Sequence, residues 1–215
     1  FFFKNNIDIV IHLAAKIDAA ESFNKKDEYR SINLESTKKL INIAKINHVK
    51  KFIFASSAAV YGNIKQGHCS EKKKTNPINP YGKYKLKAEK YIITKKKNIN
   101  FVILRFFNIA GIDKSFYSYF NKRNSIFFTL VKLLNQKRKI FYINKSLHYT
   151  KDNSPIRDYI HINDICKIIY NVILAKKKNF LMNCGTGIMI SVVKLIKTLE
   201  LIAKIKIDIK FNNPR

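Results

Sequence analysis

The chain has 215 residues, of which 47% are hydrophobic and 13% aromatic, and its 42 Lys and Arg against 14 Asp and Glu give a formal charge of +28. That length fills one domain or a domain and a half, and the composition excludes a disordered chain and a collagen-like fibre; no apolar run approaches the roughly 18 residues of a membrane span. Only six of the basic residues are Arg, the fork that reads bases and phosphates, and the Lys excess travels with Ile, Asn, Phe and Tyr, the residues of A/T-rich codons, so no specific nucleic-acid partner is expected.

Residues 7–13 are a short β-branched run of the kind that fills a buried parallel strand. An amphipathic helix is predicted over 27–46, opened by acidic residues and carrying apolar side chains at Ile32, Leu34, Leu40, Ile41, Ile43 and Ala44. A second buried strand, 51–57, ends in Ser56 and Ser57. A polar loop over 62–80 leads into a helix over 81–96, for which Pro80 is a start signal. Further on, a strand is predicted over 101–107, a helix over 124–136, a strand over 140–143, a helix over 163–175 and a strand over 180–184. A helix over 191–202 and a strand over 205–211 close the series. Buried strands alternating with helices predict an α/β fold, a Rossmann-like parallel sheet with helices on both faces. The lysine runs 72–74, 95–97 and 176–178 fall in its loops and helix ends, where solvation accounts for them.

Cys69, Cys166 and Cys184 are odd in number and lack CxxC spacing, which fits a reducing, cytoplasmic compartment and neither a disulfide framework nor a zinc site. His12, His48, His68, His148 and His161 lack ligand spacing and read as structural or surface residues. In an open α/β sheet ligands sit beyond the carboxyl ends of the strands, and here those ends are polar: residues 12–16, 56–62 and 106–108.

A Tyr and a Lys four apart on a helix share a face, and the ammonium is expected to lower a phenol that otherwise titrates near 10. Three such pairs occur, Tyr61/Lys65, Tyr81/Lys85 and Tyr91/Lys95. Tyr61 falls in a predicted loop and Tyr91 mid-helix, away from any strand end. Tyr81 opens a helix directly after Asn79-Pro80 and can point back toward Ser57. A hydroxyl, a phenol and an ammonium converging there suit proton transfer at a carbinol carbon.

The segments Ser57-Ala58-Ala59-Val60-Tyr61-Gly62 and Asn79-Pro80-Tyr81-Gly82-Lys83-Tyr84-Lys85 resemble the active-site blocks of the extended short-chain dehydrogenase/reductase superfamily. Arg105-Phe106-Phe107-Asn108 with Gly111, and the block 156–164 around Arg157-Asp158-Tyr159, look most like the UDP-glucose 4-epimerases within it. The resemblance covers nearly the whole chain in order and spacing. It implies NAD as cofactor, a UDP-sugar as substrate and inversion at C4 of the hexose through a 4-keto sugar. Residue by residue, it makes Tyr81 the acid/base, Lys85 its tuning partner and ribose ligand, and Ser57 the partner of the sugar 4-hydroxyl. Ala14, Ala15, Lys16, Asn33 and Phe107 would line the NAD site. Asn108, Arg157 and Arg215 would hold the sugar nucleotide. It also implies a homodimer through the helices over 27–46 and 81–96.

The family's glycine-rich phosphate turn has no counterpart, since no Gly precedes Gly62. The chain is therefore expected to be an internal fragment. Residues 1–110 would form a partial NAD-binding Rossmann domain without its first βαβ unit, and 111–215 a mixed region giving part of a substrate lobe and a late Rossmann strand. Rival readings within the superfamily are a UDP-N-acetylhexosamine or UDP-glucuronate 4-epimerase or a dehydratase, the last disfavoured by Ser56-Ser57-Ala58 where dehydratases usually carry a Thr and an acidic pair. From another class, the rivals are an inactive fragment and a basic, non-enzymatic binding protein.

Overall fold

The computed structural model describes residues 6–64, 69–112, 116 and 125–213. The apolar runs of the sequence lie side by side. β1 (Ile9–His12), β2 (Lys51–Ser57), β3 (Asn100–Phe106) and β7 (Phe180–Cys184) form a four-stranded, fully parallel sheet in the order β1-β2-β3-β7. His12 stands opposite Phe54, and Ser57 opposite Phe106, which in turn faces Cys184. The chemistry-bearing residues thus leave the sheet at one edge.

Period two divides the strands between two faces. Phe52, Phe54, Phe101 and Ile103 are buried with Ile41 and Ala44 of α3 (Ser36–Ile46) and Ala88 and Ile92 of α4 (Pro80–Thr94). The opposite face buries Ile53, Val102 and Leu104. Lys51, which shares that face with Ile53, donates from Nζ to the carbonyls of Val172, Ile173 and Ala175 at 2.8–2.9 Å. It thereby satisfies the carboxyl end of α6 (Ile162–Leu174), whose terminal carbonyls lack partners within the helix.

By chain contacts the protein divides into two units, residues 1–107 with 166–184, and 108–165 with 185–215. In the second, β5 (Ile140–Asn144) pairs in parallel with β9 (Asp208–Asn212). Leu130 and Leu133 of α5 (Ile126–Leu134) and Val192 and Ile196 of α7 (Val192–Ala203) share a core with Phe141, Ile143 and Ile207. A small sheet joins β4 (Asn108–Ala110), β6 (Ile156–His161) and β8 (Met189–Ser191), parallel at the first pairing and antiparallel at the second. These three short strands are absent from the sequence reading because two span three residues and none alternates cleanly between polar and apolar.

The helix predicted over 27–46 is continuous in direction but not in type. After α1 (Glu21–Asn24) come α2 (Lys26–Arg30), a π-turn (Ser31–Glu35) and α3. The widened turn carries Asn33, whose amide is bonded through both its oxygen and its nitrogen to the backbone of Lys16, a tertiary demand that periodicity does not register. Tyr61, expected in a loop, closes a 3₁₀ turn (Ala58–Tyr61) capped by Ser57 Oγ, which accepts from the Ala59 N–H at 3.2 Å.

Candidate active site at the carboxyl edge of the sheet

Three devices fix Tyr81. Asn79 caps α4 by accepting the Gly82 N–H at 2.8 Å, Pro80 holds the first helical position, and the N–H of Tyr81 itself donates to Ser22 Oγ at 3.2 Å. Ser22 is fully buried and also donates to the Ala19 carbonyl at 2.6 Å, so one hydroxyl joins the segment after β1 to the first turn of α4. Gly82 adds a further constraint by being small. A Cβ there would lie 2.6 Å from the Ala59 carbonyl oxygen, so α4 and the 58–61 turn approach as closely as backbone permits.

That approach brings the Tyr81 phenol beside the Ser57 hydroxyl. Burial pushes the Tyr81 phenol above its usual range, the neighbouring Ser57 hydroxyl opposing this only in part. The expected lowering by Lys85 is not realised here. Lys85 is buried, turns its ammonium onto the Ala55 carbonyl at 2.7 Å and lies 4.8 Å from the centre of the Phe54 ring. Desolvation brings the Lys85 ammonium down to about 8, against the pull of the Glu89 carboxylate, which favours the charged form.

His12, read from the sequence as structural or surface, closes β1 inside this site. It is buried, shares a hydrogen bond of 2.9 Å between Nε2 and Thr37 Oγ1, and lies against Phe54 at 5.8 Å between ring centres. Burial and the charge of Lys85 lower its pKa to about 4, so the ring is neutral near pH 7. Its position at a strand end was the signal that marked it.

Below the Tyr-Lys pair lies a buried polar network that the motif reading did not include. Arg105 forms a bidentate pair with Glu89, Nε to Oε1 at 2.9 Å and Nη2 to Oε2 at 2.6 Å, and its Nη1 donates to Tyr61 Oη at 2.8 Å. Ser56 donates to the same Glu89 carboxylate, and Tyr61 donates to Asn183 Oδ1 at 2.7 Å. The network ties α4, β2, β3 and β7 together directly behind Ser57. Its signal in the sequence is Glu89, an acid on a lysine-rich helix at i+4 from Lys85 and i+8 from Tyr81, and Arg105, a charge inside an apolar strand.

Of the residues assigned to NAD, Ala14, Ala15 and Lys16 follow β1 directly, Asn33 braces them through the Lys16 backbone, and Phe107 follows β3 with its N–H on the Cys184 carbonyl at 3.0 Å. The Lys16 ammonium is held by Glu28 at 2.8 Å and Glu21 at 3.2 Å. The second unit carries Asn108, which starts β4, and Arg157, exposed, with Nη1 on the carbonyl of its neighbour Ile156 at 2.8 Å. Beside it, Asp158 accepts from Thr186 N, Thr186 Oγ1 and Gly187 N at 2.7–2.9 Å and so fixes the turn between β7 and β8. Arg215 lies outside the described residues. Among the described residues no group of three His, Cys, Asp or Glu is placed to hold a metal, and no helix is long and apolar enough to cross a membrane.

The model of the NAD dependent epimerase/dehydratase family matches residues 1–185. The chain belongs to this family. Among similar members of the epimerase/dehydratase family, the UDP-glucose 4-epimerase of Mycoplasma genitalium is 37% identical over 165 residues, covering 74% of this chain and 48% of that protein. That of Azospirillum brasilense is 30% identical over 220 residues, covering 98% of this chain and 63% of its own. The structure of the Bifidobacterium longum UDP-glucose 4-epimerase in complex with NAD+ and UDP superposes with a TM-score of 0.85 at 33% identity, over 100% of this chain and 67% of that one. The chain thus spans about half to two thirds of the length of its relatives. The resemblance read from the sequence and the parallel α/β architecture both stand.

Proposed function

We propose that this chain carries the catalytic centre of an NAD-dependent UDP-hexose 4-epimerase, interconverting UDP-glucose and UDP-galactose. The observation that supports this most directly is the Tyr81 phenol set beside the Ser57 hydroxyl at the carboxyl edge of a parallel sheet, with buried Lys85 on the next turn of α4. The residues present fit the nicotinamide-ribose end of NAD: Lys85, nine-tenths buried, spends one hydrogen bond on Ala55 and keeps donors for a ribose hydroxyl, while His12 and Asn33 are neutral and internally bonded. Bound there, NAD would supply the acceptor for the hydrogen leaving C4 and a positive ring charge.

The remaining work falls to the chain. Ser57 Oγ aligns the C4 hydroxyl so that its proton faces Tyr81. Tyr81 Oη takes that proton and returns it to the 4-keto oxygen when the opposite face is reduced. Because burial keeps the free phenol protonated, the phenolate depends on positive charge brought close to it, and Lys85 is the resident source. Asn108, Arg157 and Arg215 are assigned to the UDP moiety, whose binding energy, remote from C4, retains the keto sugar as the ring turns. We further place the enzyme in the cytoplasm as a homodimer through the helices over 27–46 and 81–96, where Ile43, Ile46 and Ile93 are exposed and Asn42 bonds Tyr91 across the two helices at 3.0 Å. Light scattering giving a monomer mass would overturn the dimer.

The test is interconversion of UDP-galactose and UDP-glucose with added NAD, by this chain and by a version extended to the length of its relatives. Turnover that falls by about 100-fold or more in Tyr81→Phe is expected. Turnover untouched by that change, or none with any UDP-hexose in either version, refutes the reading.

A further inference from the structure

Lys85 presents an electrostatic problem that its neighbours have to solve. An ammonium that is 2% exposed, resting on one carbonyl and one aromatic face, is driven toward neutrality, and a neutral amine neither stabilises a phenolate nor repels a proton from it. The groups facing it are few. Tyr81 lies one turn before it on α4, His12 comes from β1 and is neutral, β2 offers the Ala55 carbonyl, and Glu89 lies one turn after it on the same face of α4. Glu89 is 1% exposed and is held from three sides, by the two guanidinium bonds from Arg105, which belongs to β3, and by the Ser56 hydroxyl of β2. Arg105 in turn spends its remaining contact on Tyr61. A carboxylate bonded from three sides is held in place, and among the described residues it is the acid whose charge acts on Lys85.

We propose that Glu89 is a positioning residue for the reaction: fixed by Arg105 and Ser56, its carboxylate keeps the buried Lys85 ammonium charged, one helical turn from Tyr81. The inference builds on the catalytic assignment of Tyr81 and Lys85, but its central claim concerns the charge of Lys85 and can be read without turnover. Arg105 holds Glu89 without itself reaching Lys85, and this division of labour makes the network directional rather than a neutral plug.

The experiment is a pH titration of the protein labelled with ε-13C lysine, followed by NMR, with Lys85→Met to identify the resonance. In the wild type Lys85 is expected to titrate near 8, apart from the surface lysines around 10.4. Glu89→Gln is expected to move that midpoint down by about one pH unit or more, and Glu89→Asp, which keeps the charge but not the packing, to restore most of the shift. In any form that turns over substrate, the alkaline limb of kcat/KM should move with the midpoint, leaving Glu89→Gln roughly fivefold more impaired at pH 8 than at pH 6.5. If Glu89→Gln alone does not fold, the paired variant Glu89→Gln with Arg105→Met removes both buried charges and should still lower the midpoint. An unchanged midpoint, or equal shifts in the Gln and Asp variants, overturns the proposal whether or not the chain epimerises a UDP-hexose. Absence of turnover with the shift intact refutes only the assigned reaction.

Discussion

Gly82→Ala separates the two effects that a glycine in a helix can have. In an exposed helix interior the added methyl would stabilise by about 1 kcal/mol, because Ala loses less backbone freedom than Gly. Gly82 is not exposed. The new Cβ would sit 2.6 Å from the Ala59 carbonyl oxygen, 3.0 Å from its carbon and 3.1 Å from Pro77 Cβ, roughly 0.8 Å short of ordinary contact with backbone that cannot rotate aside. Overpacking of this kind costs about 1–3 kcal/mol, so the clash outweighs the propensity gain and the net change is a loss on the order of 1 kcal/mol. For a chain of this size that is about 2–4 °C in Tm. The larger consequence is for the site, since relief of the clash moves the first turn of α4, and with it Tyr81, away from the turn that starts at Ser57. A displacement approaching 1 Å costs about 100-fold in rate. Thermal unfolding and the UDP-galactose assay on wild type and Gly82→Ala read both numbers. A variant more stable than wild type with undiminished turnover would show that α4 and the 58–61 turn do not meet as described.

His12 folds with a pKa of about 4 against 6.5 when unfolded, so the unfolded chain binds more protons between those values, and stability is full above about pH 6.5 and falls as the pH drops toward 4. Urea denaturation should register up to about 2 kcal/mol of that loss between pH 7 and pH 5, a loss missing from His12→Gln; parallel pH curves for the two proteins would contradict it. Arg105→Met strands Glu89 as an uncompensated buried carboxylate and should cost about 3–5 kcal/mol, most of it recovered in Glu89→Leu with Arg105→Met; additive losses in a double-mutant cycle would contradict the coupling. Asp158→Ala frees two backbone N–H groups and a hydroxyl in the 186–187 turn, with an expected loss of about 1–2 kcal/mol and new proteolytic cleavage near Gly187, and unchanged protease resistance would count against that role.

The parallel sheet was legible because a strand covered on both faces needs little but apolar side chains, as in residues 52–55 and 101–104, and such runs stand out from any background. The helix over 81–96 was legible from Asn79-Pro80, and the placement of Tyr81 and Lys85 at its start followed. What escaped is tertiary in origin. The π-turn exists to aim Asn33 at Lys16, the hydroxyl of Ser22 is one of many until the Tyr81 N–H reaches it, the strands β4 and β8 span three residues each, and β6 does not alternate cleanly. The titration of Tyr81 escaped for a related reason. Spacing places an ammonium on the same face as a phenol but carries no information on how much water both have lost or where the ammonium turns; here Lys85 turns to the Ala55 carbonyl and burial raises the phenol. His12 and Glu89 lay within reach of a sequence argument, one by its place at a strand end and the other by its register with Lys85.

The bidentate Glu89–Arg105 pair bears on how the first unit assembles. A helix docked on β2 before β3 has joined would bury a carboxylate without its guanidinium, and β3 added before the helix would bury the guanidinium alone; each half-built arrangement carries a penalty of several kcal/mol that the finished one does not. Residues 80–106 are therefore disfavoured from forming piecemeal, and the folding transition is sharpened at the place where the reaction chemistry is concentrated. Hydrogen exchange at the core amides of α4 and β3 should accordingly follow a single opening event.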